Sequence, residues 1–343
     1  MTRVTFIWGP GGVGKSHVSV RRAFESTNAQ QTTLLMTLDP SLRVLDLLGL
    51  PHASPEKDSN AVEVTLAKQT FHVRRVDVWK VFEQLEKRKP ASPRVRVFFE
   101  QMVRGMQEFR DYLSLLQLAD EVSRGRYQHI IVDTPPFQDA EGLHRSMTNL
   151  RDFFEKALVQ LAMKSTSMPW VQTTVKKIFD FTRVFVGKTA SAQVFEFIEW
   201  LSEHHERFKS AAQTLEKLVF SENSNHDFVV TPESSRIFLE STAHIFADKI
   251  SPTFFVNRSA HGLVLPEGES SFHREIRMLQ ERELKLLKEI DHFYPKYHLE
   301  RIPILFMGDD TIEEMELFVQ ASMATYQELP EPSSSLTGNK TPR

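Results

Sequence analysis

The sequence contains no cysteine. Disulfides, thiolate metal sites and cysteine nucleophiles are therefore excluded. Net charge is also nearly absent, with 42 basic residues against 45 acidic ones. No global basic field points to nucleic acid, and none is expected as a partner. No apolar run reaches the roughly 18 to 20 residues that a membrane span needs. Met1-Thr2-Arg3 leads straight into a strand-like run, without a signal-peptide pattern. These absences lead to the expectation of a cytoplasmic protein. Glycine is scarce as well: there are 13 in 343 residues, and four of them fall between residues 9 and 14.

What is present is an ordinary globular composition, 41% apolar and 25% charged, long enough for one large or two ordinary domains. Apolar and β-branched runs at Val4–Trp8, Thr32–Asp39 and His129–Pro136 read as buried parallel strands. Shorter strands are expected at "AVEVTLA", "FHVRRVD", "HDFVVTPES", "PTFFVNRS" and "ERIPILF". Helices are expected at "SHVSVRRAFEST", over 94–124, at "SSRIFLESTAHIFADK", over 272–293 and in the closing segment from Thr311. The alternation implies an α/β fold, a doubly wound and mostly parallel sheet covered on both faces. Residues 147–222 break the rhythm with helical patterning and no convincing strand, and 329–343 lack apolar content and read as a disordered tail. The expected division is a P-loop domain over 1–146 and 223–328, with an inserted helical subdomain at 147–222.

The glycine cluster reads Gly9-x4-Gly14-Lys15-Ser16, the G-x-x-x-x-G-K-[ST] phosphate-binding pattern, between a buried strand and a helix. Glycines let the backbone turn its N–H groups toward a phosphate, and the helix N-terminus favours the anion. Lys15 is expected to reach the β- and γ-phosphates of ATP, and Ser16 to ligate Mg²⁺. Asp39 and Asp133 each end a strand, where ligands of open α/β sheets bind. Asp133 suits the Mg²⁺ shell, and Asp39 suits orientation or deprotonation of an attacking water, partly shared with the metal. The alternative reading of each is a helix N-cap.

Taken in order, "GPGGVGKS", "TLDPSLRVLD", "IIVDTPPFQDAEGL", "VVTPES", "FFVNRSA" and "RIPILFMGDD" resemble the arsenical-pump ATPases and their relatives that deliver tail-anchored membrane proteins. The resemblance implies a P-loop NTPase fold with an inserted helical subdomain and a dimer, of like or related chains, with nucleotide at the subunit interface. It implies that Gly11, Gly12, Val13, Gly14, Lys15 and Ser16, with His17 beside them, bind ATP and Mg²⁺. Asp39 then matches the switch aspartate that positions water, and Asp133 the acid of the second switch. Asn257 matches the asparagine that reads the adenine edge, and Pro303 and Ile304 fall where the family packs the base.

The departures are specific. The family carries an extra lysine in the loop that reaches the partner subunit's phosphates, and here Pro10 fills that slot, without charge or N–H. Arg43 is a candidate substitute or else a surface charge. The second switch lacks the family's T-G-H. The absent cysteines remove both metalloid binding and a dimer-bridging zinc. His17, His204 and His205 lack a second ligand at metal spacing. Within the helical block, Phe153, Leu158, Leu161, Met163, Met168, Trp170, Val171, Ile178, Phe179, Phe181, Val184 and Phe185 read either as a core or as an apolar groove for a membrane protein or hydrophobic client. Two functions follow from the whole: an ATPase that switches a dimer, or a catalytically weak subunit paired with a lysine-bearing relative.

Overall fold

A computed structural model describes residues 2–38, 42–50, 61–105, 107–135, 196–197, 199–263 and 271–304. Asp39, residues 136–195, the closing segment from Thr311 and the tail lie outside them, and so do the apolar positions from Phe153 to Phe185.

Eight strands form one sheet: β1 (Arg3–Trp8), β2 (Thr33–Thr37), β3 (Val62–Leu66), β4 (Gln69–Arg75), β5 (His129–Asp133), β6 (Ser224–Val230), β7 (Thr253–Ser259) and β8 (His298–Pro303). Their order is β3-β4-β2-β5-β1-β6-β7-β8. Every neighbouring pair is parallel except β3–β4, an antiparallel hairpin at one edge. The hairpin turns through Ala67 and Lys68, both at positive φ, which is the twist a tight hairpin needs even without glycine. The helices are α1 (Lys15–Asn28), α2 (Arg43–Leu47), α3 (Val78–Glu86), α4 (Pro93–Gly105), α5 (Gln107–Arg124), α6 (His205–Val219), α7 (Arg236–Phe246) and α8 (Ser271–Phe293). The helix expected over 94–124 is thus two helices. Among the described residues, no helix is long and apolar enough to cross a membrane.

The continuous apolar strands follow from burial on both faces. Val4, Phe6 and Trp8 of β1, Leu34 and Met36 of β2, and Ile130 and Val132 of β5 enter one core, and the alternate Ile7, Leu35 and Ile131 enter the other. Side chains of a strand alternate in direction, so a strand covered twice is apolar at every step. The larger core is rich in aromatic rings and takes in α3 to α5. Phe208, Ala211 and Leu215 of α6, from the end of the block expected to be an insertion, join the same core. The smaller core lies under α1 and α2 and is mostly aliphatic.

At the amino-terminal edge of the sheet, charges close on one another. Arg22 Nε donates to Asp227 at 2.7 Å, Arg22 Nη1 to Glu25 at 2.8 Å, and Arg21 Nη2 to Glu300 at 2.7 Å. Burial opposes the Arg22 charge, but Asp227, Glu300 and Glu25 outweigh it and hold the guanidinium above its ordinary value. Burial pushes the Asp227 carboxyl up in spite of Arg22. His129 sits between Thr5 Oγ1 and Ser26 Oγ, both at 2.8 Å. Burial first, then Arg3 and Arg22, pushes it down to about 4.

Candidate functional site

The opposite, carboxyl-terminal edge is built around the turn that joins β1 to α1. Gly9 has φ +157°, and a Cβ there would stand 2.4 Å from the Val229 carbonyl oxygen. Gly14 is the N-cap of α1 in the left-handed region, φ +93°, and a Cβ would stand 2.3 Å from Asn257 Nδ2. Gly9 is closed to a side chain by a fixed backbone oxygen as well as by conformation, and Gly14 by its left-handed conformation. Gly11 and Gly12 lie exposed between them, and Val13 turns inward to the smaller core. The turn therefore has a buried anchor and an open rim of backbone.

Lys15 is buried, and its Nζ donates to the carbonyl oxygens of Gly9 at 3.0 Å and Pro10 at 2.8 Å. The ammonium thus lies back along the loop, against two of its carbonyl oxygens. One residue on, Ser16 Oγ donates to Asp133 Oδ2 at 3.1 Å. Asp133 ends β5, in register with Ile7 of β1, and the strand pairing alone brings the carboxylate beside the head of α1. Its other oxygen, Oδ1, accepts from Ser19 Oγ at 2.9 Å, and the same hydroxyl also reaches the Lys15 carbonyl at 2.9 Å. Sequence reasoning missed Ser19. Its place three residues after Ser16, on the same face of a helix, was the available signal. Thr134 Oγ1 donates to the Ile7 carbonyl at 2.6 Å and fastens the end of β5 to β1.

Asn257, near the end of β7, is brought to the same loop although 244 residues separate it from Val13: its Nδ2 donates to the Val13 carbonyl at 2.9 Å. Its Oδ1 accepts from the Arg258 backbone N–H at 2.9 Å. Pro303 pairs with Ser259, and the Ile304 N–H donates to the Ser259 carbonyl at 3.0 Å. Asn257, Pro303 and Ile304 are thus neighbours at the carboxyl edge, on the second strand from β1 and at the end of the third. Asp39 lies outside the described residues; the Leu38 N–H before it donates to the Asp133 carbonyl at 2.9 Å. Arg43 opens α2 and is exposed. His17 is half-buried beside Ser16.

The donor set suits a hard divalent cation, since a hydroxyl and a carboxylate supply oxygen ligands only. The glycine turn and the N-terminus of α1 suit an anion. The residues present therefore fit a metal-bound phosphate.

Two comparisons bear on this geometry. A family model described as anion-transporting ATPase matches residues 2–321. A protein of Aquifex aeolicus (strain VF5), described as a putative arsenical pump-driving ATPase, is 24% identical over 318 residues, covering 90% of this chain and 95% of that protein.

Proposed function

The chain belongs to the anion-transporting ATPase family, and from that premise we propose that it is a Mg²⁺-dependent ATP hydrolase whose nucleotide state switches a dimer. One observation carries the reading: Ser16 and Asp133, 117 residues apart in sequence, meet at the head of α1 beside a glycine turn whose first position is closed to a side chain by the Val229 carbonyl. In this reading the backbone N–H groups of Gly11 to Gly14 and the N-terminus of α1 hold the phosphates. Lys15 exchanges the Gly9 and Pro10 carbonyls for phosphate oxygens. Ser16 and Asp133 hold Mg²⁺, the carboxylate through water, and Ser19 keeps that carboxylate aimed while Ser16 turns to the metal. The bound cation neutralises charge that develops on the phosphates. Asp39, which follows β2 closely, orients the attacking water. Asn257, Pro303 and Ile304 take the base. The helical block presents the surface that meets a partner or a hydrophobic client.

Pro10 favours a second reading. It stands where the resembling ATPases place a lysine for the partner subunit's phosphates, and proline supplies neither charge nor N–H. A chain of this kind binds ATP through Lys15 but leaves catalysis at one site of a heterodimer to a lysine-bearing relative. ATP turnover of the purified chain with Mg²⁺, read beside its mass by light scattering, separates the two. Turnover by a homodimer supports the hydrolase. ATP bound without turnover supports the subunit. Failure to bind ATP overturns both.

A further inference from the structure

We propose that Glu283 is the positioning residue for the turn that ends β7, and that through this turn it sets which nucleotide base the site prefers. The inference rests on the reading above that Asn257 faces the base.

Strand β7 does not end regularly. Asn257 pairs with Ile302 and Ser259 with Pro303, so Arg258 bulges out of the ladder. Its φ is +58°, in the left-handed region that an arginine enters only when its surroundings hold it there. Bulges of this kind re-aim a side chain. The one re-aimed here is Asn257: the Arg258 N–H, turned by the bulge, donates to Asn257 Oδ1 at 2.9 Å. That bond, together with the one from Nδ2 to the Val13 carbonyl, fixes which end of the amide is acceptor and which is donor. The opposite end, Nδ2, faces the Val13 carbonyl.

Glu283 of α8 holds the bulge in place. Its carboxylate is buried, and it accepts from Ser259 Oγ at 2.9 Å on each oxygen, from the Ala260 N–H at 3.2 Å and from Arg301 Nε at 2.9 Å. One group thus fastens the turn, strand β8 and helix α8 together. One helical turn away, Gln280 Nε2 donates to the carbonyls of Ala260 and Leu263, both at 3.1 Å. A cleft of about 220 Å³, lined by His261, Gly262, Leu284 and Leu287, lies against both side chains. The turn is therefore held by polar bonds that converge on one carboxylate, and it has room to move when they are cut.

The chemical consequence concerns the base edge. Adenine offers a donor beside an acceptor, and a 6-oxo purine offers the reverse pattern. An amide held by both bonds distinguishes them, and one that has lost the Arg258 bond is held less firmly and distinguishes them less well. Glu283 acts on this choice at second hand, through Ser259, Ala260 and the Arg258 N–H.

The test is the affinity of the full chain, with Mg²⁺, for ATP, GTP and inorganic tripolyphosphate, in the wild type and in Glu283→Gln. Tripolyphosphate reads the phosphate loop without a base. We expect the ATP-over-GTP preference to shrink about tenfold in the variant, the scale of one lost hydrogen bond, while tripolyphosphate binds unchanged. Ser259→Ala removes only the hydroxyl, and its ratio decides the matter if Glu283→Gln does not fold. An unchanged ratio overturns the inference, and so does an equal loss for all three ligands. A wild type that binds ATP no better than GTP or tripolyphosphate overturns the base reading of Asn257 itself. Normal preference in the wild type with unchanged preference in the variants overturns only the role of Glu283.

Discussion

The two ends of helix α1 hold two polar clusters of opposite design. At its C-terminal half, Arg21, Arg22 and Glu25 meet Asp227 and Glu300, and each guanidinium has a carboxylate within 2.7 Å. At its N-terminal end, Lys15 rests on carbonyl oxygens, and one carboxylate, Asp133, is shared by two hydroxyls. Charge closed on charge at the amino edge is settled when the chain folds, and removing one partner leaves a buried ion uncompensated. The bonds from Lys15 to the two carbonyls are exchanged for an anion at little cost, because charge-assisted bonds to phosphate are the stronger ones. The same helix thus carries an anchor at one end and an exchangeable set of donors at the other.

The largest effect that would sharpen this contrast belongs to the exchangeable end. Lys15→Ala removes two charge-assisted contacts of roughly 2 kcal/mol each, so ATP affinity should fall about a thousandfold by calorimetry. Normal ATP affinity in the variant would sink the assignment of the site.

The next effect belongs to the anchored end and is a pH dependence. His129 is held near 4 in the folded chain against an ordinary value of 6.5. Between these values the unfolded chain binds the proton and the folded one does not, so stability rises with pH across that window and is lost as pH falls through it. From pH 7 to pH 4 this histidine should cost the fold about 3 kcal/mol. His226 is pushed down to about 4 as well, by burial, so the wild type alone reads a sum. The difference between wild type and His129→Gln in urea unfolding isolates the first term, and it should move in favour of the variant by that amount over the same range. If ATP affinity at pH 7 also changed in His129→Gln, the separation of the two ends would be broken.

Much of this was legible in the sequence, for physical reasons. The strands β1, β2 and β5 carry apolar residues on both faces because both faces are covered, and such runs stand out in any reading. The glycine turn with Lys15 and Ser16 is local, so spacing alone displays it. Asp133 was legible as the polar end of an apolar strand. The order of the strands was not, because nothing in "AVEVTLA" or "FHVRRVD" distinguishes an antiparallel edge hairpin from two parallel strands. The break between α4 and α5 was hidden by apolar spacing that continues across Gly105. Helices α2 and α3 were missed, and α3 is short enough that its cap, Asp77 accepting from the Trp79 N–H, was the clearest signal. The bond from Asn257 to Val13 and the one from Ser259 to Glu283 depend on tertiary placement, which no spacing encodes.

The smallest effect tests where the boundary between the two designs falls. Ser19 lies one helical turn below Lys15, and its hydroxyl holds Asp133 Oδ1 while also touching the Lys15 carbonyl. Ser19→Ala should cost about 1 kcal/mol of stability, the scale of one net hydrogen bond, because Ser16 still satisfies the other carboxylate oxygen. If Ser19 belongs to the anchor, that loss is the whole effect, and the gain in ATP affinity on adding Mg²⁺ stays at its wild-type size. If it belongs to the exchangeable end, Asp133 loses its aim when Ser16 turns to the metal, and that gain shrinks by a few-fold. The geometry favours the second result, since the hydroxyl and Ser16 grip opposite oxygens of one carboxylate. A titration of ATP with and without Mg²⁺ in Ser19→Ala, set beside its urea midpoint, reads both quantities from one preparation. A stability loss with an unchanged Mg²⁺ gain would move the boundary up to Ser16.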